Sequence, residues 1–311
     1  MAQVYLLLLA GLALLFISGK FLVDSSVAIS RRLRIPRMII GLTVVAFGTS
    51  APELLVSLQA AISGFPEIAI GNVVGSNISN ILLVLSITAL IFPIPAPASS
   101  VKKDWPIMMA VSLLLFGISL DGWISRTEGA ILVGLLGGYI AYSVVRARGI
   151  VPSESEATMA GLMKWWVAML MFLASCVGLA FGADLLVENA ALIAEELGMS
   201  KRVVSITMVA VGTSIPEVAT SVIAALKKET DISVGNIIGS NIMNILSVLG
   251  FTSLISPISV SREIARFDIP WMLAVSFLLL LLMLPAAHSR ITRWEGSLMI
   301  LIYLLYIYLL F

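Results

Sequence analysis

Apolar residues fill this chain in long blocks, and short polar clusters interrupt them at regular intervals. A helix needs roughly twenty apolar residues to cross a bilayer, and blocks of that size recur from one end of the sequence to the other. They predict ten spans, at 3–22, 38–63, 69–92, 105–120, 127–146, 163–188, 202–226, 233–255, 269–286 and 295–311. The first block, MAQVYLLLLAGLALLF, has no basic residue ahead of its apolar stretch, so it reads as a retained span and not a cleaved leader. The expected fold class is an all-α membrane protein.

Composition points the same way. Hydrophobic residues occupy 59% of the 311 positions and charged residues 12%, where soluble domains hold roughly 45–50% and 25%. A single cysteine, Cys176, excludes a disulfide within the chain, and a single histidine, His288, leaves no Cys/His zinc constellation. A net charge of +1 gives no pull toward nucleic acid. Neither a cofactor, a catalytic activity nor an obligate protein partner is expected.

With ten spans, alternate loops share a side of the membrane. One side collects Lys20, Arg31, Arg32, Arg34, Arg37, Lys102, Lys103, Arg146, Arg148, Lys164, Lys227, Lys228, Arg290 and Arg293; the other has only Arg126, Lys201, Arg202, Arg262 and Arg266. The rich side is predicted to be cytoplasmic, which places both termini outside.

The two halves repeat. GTSAPE at 48–53 returns as GTSIPE at 212–217, and GNVVGSNISN at 71–80 as GNIIGSNIMN at 235–244, both at an offset of 164. The same offset aligns DWPIMMAVS at 104–112 with DIPWMLAVS at 268–276, and a slightly longer one pairs RTEG at 126–129 with RWEG at 293–296. The expected organisation is a five-helix repeat at 1–146, a polar cytoplasmic connection at 147–162 and a second repeat at 163–311. Five is an odd number, so the second repeat enters the membrane from the opposite side. Such inverted repeats are typical of secondary transporters, whose sites lie near the midplane on interrupted helices.

The duplicated motifs carry unusual chemistry for lipid. Glu53 and Glu217 fall well inside their spans, where an acid costs on the order of 2.5–3.5 kcal/mol on insertion scales. No Lys or Arg lies in the middle of another predicted span, so each acid needs either a proton or a bound metal ion. Pro52 and Pro216 remove N–H groups and displace the carbonyls of Gly48 and Gly212, freeing main-chain oxygens. Thr49 and Ser50, with Thr213 and Ser214, flank the breaks. Asn72, Ser76 and Asn80 follow at i, i+4 and i+8 on the next span, matched by Asn236, Ser240 and Asn244. Carboxylate, hydroxyl, amide and main-chain oxygen without thiolate or imidazole suit a hard cation, and a deformable dry site with two carboxylates favours Ca²⁺ over Mg²⁺.

Other repeated residues have plainer readings. Gly41, Gly75, Gly239, Gly134 and Gly138 are expected to pack helices closely, and Ser79 with its counterpart Met243 to fill space. Thr43 and Thr207, and Ser57 and Ser221, are expected to bond carbonyls one turn back. Lys20 and Asp184 are placed near helix ends, at the membrane interface.

The paired GTSxPE and GNxxGSNIxN segments resemble the two alpha repeats of the sodium/calcium exchangers, within the cation/calcium antiporter superfamily. The resemblance covers all ten predicted spans. It implies sodium-coupled calcium transport by alternating access, electrogenic, from a core of spans 2, 3, 7 and 8. Carried onto this chain, it implies that Glu53 and Glu217 are shared by Ca²⁺ and Na⁺. Thr49 and Thr213 would give main-chain oxygens to calcium. Ser50, Ser76, Ser214, Ser240 and the carbonyls of Ala46 and Ala210 would serve sodium, and Asn80 and Asn244 would line the centre, donating N–H groups to the two carboxylates. Potassium-dependent relatives carry Asp where this chain has Asn244, so potassium independence is expected. The connection is too short for calcium-sensing domains, which implies a bare prokaryotic-type core in the cell (inner) membrane.

Two other functions fit parts of the pattern. A calcium/proton or broader cation/proton antiporter would let the acids carry protons. An intramembrane hydrolase would need a base that the spans do not supply, or two acids in unlike surroundings, which repeat-related Glu residues do not have.

Overall fold

Residues 2–148, 163–196, 212–284 and 290–310 are described by the computed structural model. The connection from 149 to 162, Lys201, Arg202, Thr207, Ala210 and His288 lie outside them. The described residues are helical almost throughout. Helix α1 is Ala2–Leu33, α2 Arg37–Thr49, α3 Ala51–Ile62, α4 Glu67–Ile91, α5 Trp105–Ile118 and α6 Arg126–Arg148. In the second half α7 is Trp165–Glu196, α8 Ile215–Leu226, α9 Thr230–Ile255, α10 Ile269–Met283 and α11 Arg293–Leu310.

Among the described residues, seven helices are long and apolar enough to cross a membrane, or eight if the bent pair α2–α3 is one span. Two of the ten expected spans fall short as helices. Helix α8 has 12 residues, and the stretch expected to precede it lies outside the described residues. Helix α5 has 14, but a π-helical turn at Ser100–Asp104 leads into it.

The first and sixth spans run past their expected ends at 22 and 188. Each has 32 residues, or about 48 Å at 1.5 Å per residue, well beyond a hydrocarbon core of roughly 30 Å. The polar stretches after each apolar block stay helical, and α1 stops only where Arg34 turns to φ 56 ahead of Pro36. Lys20 and Asp184 therefore sit inside long helices instead of at their ends, with both side chains exposed. Small residues bring α1 and α7 together: a Cβ on Gly11 would lie 2.9 Å from Leu186 N, and one on Gly182 3.1 Å from Leu15 N.

Helices α4 and α9 form the interior. Their repeated sequences fold alike, each with a π-helical turn beginning at the last motif asparagine: Asn80–Val84 in one, Asn244–Leu249 in the other. An extra residue per turn rotates the face presented beyond it, and such bulges recur at functional sites. Helix α2 packs along α9, while α3 packs on α4 and the second half of α9; α8 packs on α9 and the second half of α4.

The RTEG and RWEG repeats have a structural role. Ser125 and Glu128 form a capping box, with Ser125 N donating to Glu128 Oε2 at 2.7 Å and Glu128 N to Ser125 Oγ at 3.3 Å. Thr292 and Glu295 repeat it at 2.6 and 3.4 Å. The glycine after each Glu then sits against main chain: a Cβ on Gly129 would meet Gly250 O at 3.0 Å, and one on Gly296 would meet Ser86 O at 3.0 Å.

Two short antiparallel ribbons join the halves. Strand β1, Ile94–Pro95, pairs with β4, Arg290–Ile291; β2, Trp123–Ile124, pairs with β3, Ile258–Ser259. Each ribbon unites two loops that the alternation of spans assigns to the same side of the membrane.

Candidate ion-binding site

The first proline motif ends α2 and starts α3, and the second starts α8. Ser50 has φ −84 and ψ 5, Ser214 φ −86 and ψ −1, and Pro52 and Pro216 each occupy the first turn of the helix that follows. There the missing N–H costs nothing and the ring angle suits helix entry. The axes of α2 and α3 meet at 41°. Glu53 and Glu217 stand in those first turns, both 0% exposed, and their charges act on one another.

The hydroxyl and amide side chains expected around them come together across the repeat. Thr49 Oγ1 donates to Asn236 Oδ1 at 3.1 Å and lies 3.4 Å from Ser240 Oγ. In the matching place, Ser76 Oγ lies 3.2 Å from Thr213 Oγ1. Thr49, Ser50, Ser76, Asn80, Ser214, Asn236, Ser240 and Asn244 are buried, while Asn72 and Thr213 are partly exposed. The Ala46 carbonyl already accepts from Ser50 N at 2.9 Å.

Beyond this the two halves differ. Glu217 Oε1 accepts from Ser50 Oγ at 3.3 Å and from Ser240 Oγ at 3.4 Å. The corresponding donors do not reach Glu53: both its carboxylate oxygens, Ser214 Oγ and both amide atoms of Asn80 are buried without a hydrogen-bond partner. Among the described residues neither carboxylate is ion-paired. Buried acceptors left open are costly, and a hard cation is the partner that carboxylate, amide and hydroxyl oxygens in one place would satisfy.

Three expectations need correction. Asn244 does not donate to a carboxylate; its Nδ2 donates to Asn77 Oδ1 at 3.1 Å, because that amide oxygen on α4 lies within reach. Ser57 and Ser221 do not bond a carbonyl one turn back. They accept from Asn72 Nδ2 at 3.1 Å and from Asn236 Nδ2 at 3.2 Å, because an amide donor on the adjacent helix lies within reach. Thr43 does behave as expected, donating to Ile39 O at 2.6 Å. Gly134 and Gly138 meet nothing within 4 Å where a Cβ would stand, because that face of α6 meets no other helix among the described residues. Gly41 and Gly239 are packed as expected: a Cβ on Gly41 would lie 2.8 Å from Ile232 O, and one on Gly239 2.5 Å from Leu42 O; Gly75 meets nothing within 4 Å among the described residues, and the positions that repeat Leu42 and Ala46, 206 and 210, lie outside them.

Beside Gly75 lies a cavity of about 560 Å³ lined by Asn72, Gly75, Ser76, Thr213, Asp268 and Tyr306. It runs from the site toward the loop before α10 and the C-terminal end of α11. Tyr306 OH donates to Asp268 Oδ1 at 2.8 Å beside it. On the other side of the site the matching surfaces are shut. The α9 glycines lie on the α2 backbone, Tyr139 OH donates to Leu42 O at 3.3 Å, and buried Asp104 is ion-paired with Arg146.

Asn77, with its counterpart Asn241, was not among the expected site residues. The duplication marks them, but they follow Ser76 and Ser240 by one residue and so fall off the i, i+4, i+8 face.

Fold and site together define a polytopic helical membrane protein with a duplicated, buried, oxygen-lined acidic centre. The sequence profile of the family described as Sodium/calcium exchanger protein matches residues 3–145 and 167–311. CaxA of Alkalimonas amylolytica is 39% identical over 97% of each chain. The Sodium/calcium exchanger MaX1 of Methanosarcina acetivorans is 32% identical over 99% of this chain and 98% of its own. A solved structure of the sodium-calcium exchanger NCX_Mj, soaked with 10 mM Na⁺ and zero Ca²⁺, superposes with a TM-score of 0.83 at 31% identity over 99% of both chains. The chain belongs to the sodium/calcium exchanger family.

Proposed function

We propose that this protein exchanges Na⁺ for Ca²⁺ across a prokaryotic cell membrane by alternating access. The observation that carries the reading is the pair of wholly buried carboxylates, Glu53 and Glu217, set at duplicated helix breaks without an ion-pair partner among the described residues. Two negative charges balance one Ca²⁺. The ligand set is Glu53 and Glu217 with Thr49, Thr213, Ser50, Ser214, Ser76, Ser240, Asn72, Asn236, Asn80, Asn244 and the carbonyls of Ala46 and Ala210. Sodium ions occupy the hydroxyl-lined flanks and share the carboxylates, so the two cations displace one another. Movement of more than two Na⁺ for each Ca²⁺ makes the exchange electrogenic. With an amide at 244, no third acid calls for potassium.

The scaffold is ten spans in two inverted five-helix repeats, 1–146 and 163–311, joined on the cytoplasmic side by 147–162, with both termini outside. The ribbons support this topology, since β1–β4 joins loops on the arginine- and lysine-rich side and β2–β3 loops on the other. Two separate matched segments of the family profile support the division. In this arrangement the cavity beside Ser76 and Thr213 opens outward and the inner face is sealed.

The test is calcium titration of the purified protein, with Glu53→Gln and Glu217→Gln beside the unmodified chain. Calcium binding that weakens steadily with added sodium, and is lost in both variants, is the expected result. Undiminished affinity in either variant would refute the assignment.

A further inference from the structure

Asn77 is 0% exposed and makes contacts that leave its amide one orientation. Its Nδ2 lies 3.2 Å from the main-chain oxygen of Asn241 and 3.7 Å from Met272 Sδ. A carbonyl oxygen and a thioether accept hydrogen bonds and donate none, so the NH₂ group must face them. The Asn77 oxygen then faces Asn244, whose Nδ2 donates to it at 3.1 Å. Asn244 is thereby fixed in turn, with its own Oδ1 buried and without a partner. Asn244 stands one turn beyond Ser240, which reaches Glu217.

We propose that Asn77 is a positioning residue that makes Asn244 present an acceptor oxygen, never its NH₂ group, to the transported cation. An untethered amide is free to turn its NH₂ toward the carboxylates, where a hydrogen bond to a charged group competes with the ion. The device is one-sided. The counterpart of Asn77, Asn241, donates to Ile237 O in its own helix at 2.7 Å, and Asn80, the counterpart of Asn244, has neither amide atom engaged. Asn244 is thus a fixed ligand and Asn80 a free one.

The inference rests on the cation-exchange reading and deepens it. Its test is calcium titration of the detergent-solubilised full chain carrying Asn77→Leu, in the native background and in Asn244→Asp. A carboxylate offers oxygen on both arms, so an Asn244→Asp site has no orientation to lose. Asn77→Leu is expected to weaken calcium binding roughly tenfold in the native background, the size of a hydrogen bond to a charged group, and to change it little in Asn244→Asp. Equal weakening in both backgrounds assigns Asn77 to packing alone and overturns the proposal, as does unchanged affinity in the native background. If Asn77→Leu does not fold, Asn77→Ser carries the same comparison, since a hydroxyl cannot hold the Asn244 amide in one sense. An unmodified chain that binds no calcium overturns the exchange reading itself and this inference with it.

Discussion

Glu53 and Glu217 occupy equivalent places and have unequal company, which makes their replacement by glutamine unequal too. Glu217 accepts two hydroxyl hydrogen bonds; Glu53 accepts none. Without cations, Glu53→Gln relieves a buried acid whose oxygens have no partner, worth about 1–3 kcal/mol by the usual cost of an unsatisfied group. Glu217→Gln gives up two contacts for a smaller relief. Thermal unfolding in sodium-free, calcium-chelated buffer is expected to rank Glu53→Gln above the unmodified chain and above Glu217→Gln. The reverse order would mean that Glu53 has a partner when the ions are absent. These two residues were plain in the sequence, because an acid in a long apolar block stands out and the duplication removes chance. Asn77 was not, since its importance depends on which way one amide turns, and no periodicity encodes that.

Among the elements, the repeated glycines separate sequence from state. Gly235 and Gly239 are pressed on the backbone of α2 at Met38 and Leu42, while their counterparts Gly71 and Gly75 meet nothing within 4 Å among the described residues, which leave out the positions that repeat Met38 and Leu42, 202 and 206. The sequence could mark all of these positions as helix-packing sites but could not say which are packed at a given moment. The π-helical turns were hidden for a related reason, because a single inserted residue leaves the apolar pattern nearly unchanged. If closure of the outer cavity brings main chain against Gly75 as it lies against Gly239, Gly75→Ala costs that state about 1–3 kcal/mol, the usual penalty for overpacking. The variant is expected to fold and bind calcium normally yet exchange it roughly tenfold more slowly. Vesicle flux beside calcium titration checks this, and normal flux would place the moving surface elsewhere.

Across the whole molecule, the described ion pairs Asp24–Lys227, Arg37–Glu229 and Asp104–Arg146 gather on the side assigned to the cytoplasm, opposite the open cavity. The most buried is Asp104–Arg146, with side chains 2% and 9% exposed. Removing one partner strands the other, so Arg146→Leu is expected to destabilise the protein by about 3–5 kcal/mol, and Asp104→Leu with Arg146→Leu to recover most of that. Unfolding in detergent at a fixed denaturant series measures both; a double variant as unstable as the single one would mean that the pair is not what holds those helices. The charge asymmetry of the loops was legible in the sequence, but the pairing of individual acids and bases was not, since each pair links residues from distant parts of the chain.

Coupling of calcium movement to sodium is the claim on which the rest depends. The direct measurement is calcium uptake into proteoliposomes with pH clamped on both sides, potassium absent, and a sodium gradient imposed or reversed. Uptake that appears with sodium inside, reverses with the gradient and drives charge across the membrane is the predicted result. Uptake that ignores the sodium gradient and follows an imposed proton gradient would contradict the account and assign the two buried carboxylates to proton exchange.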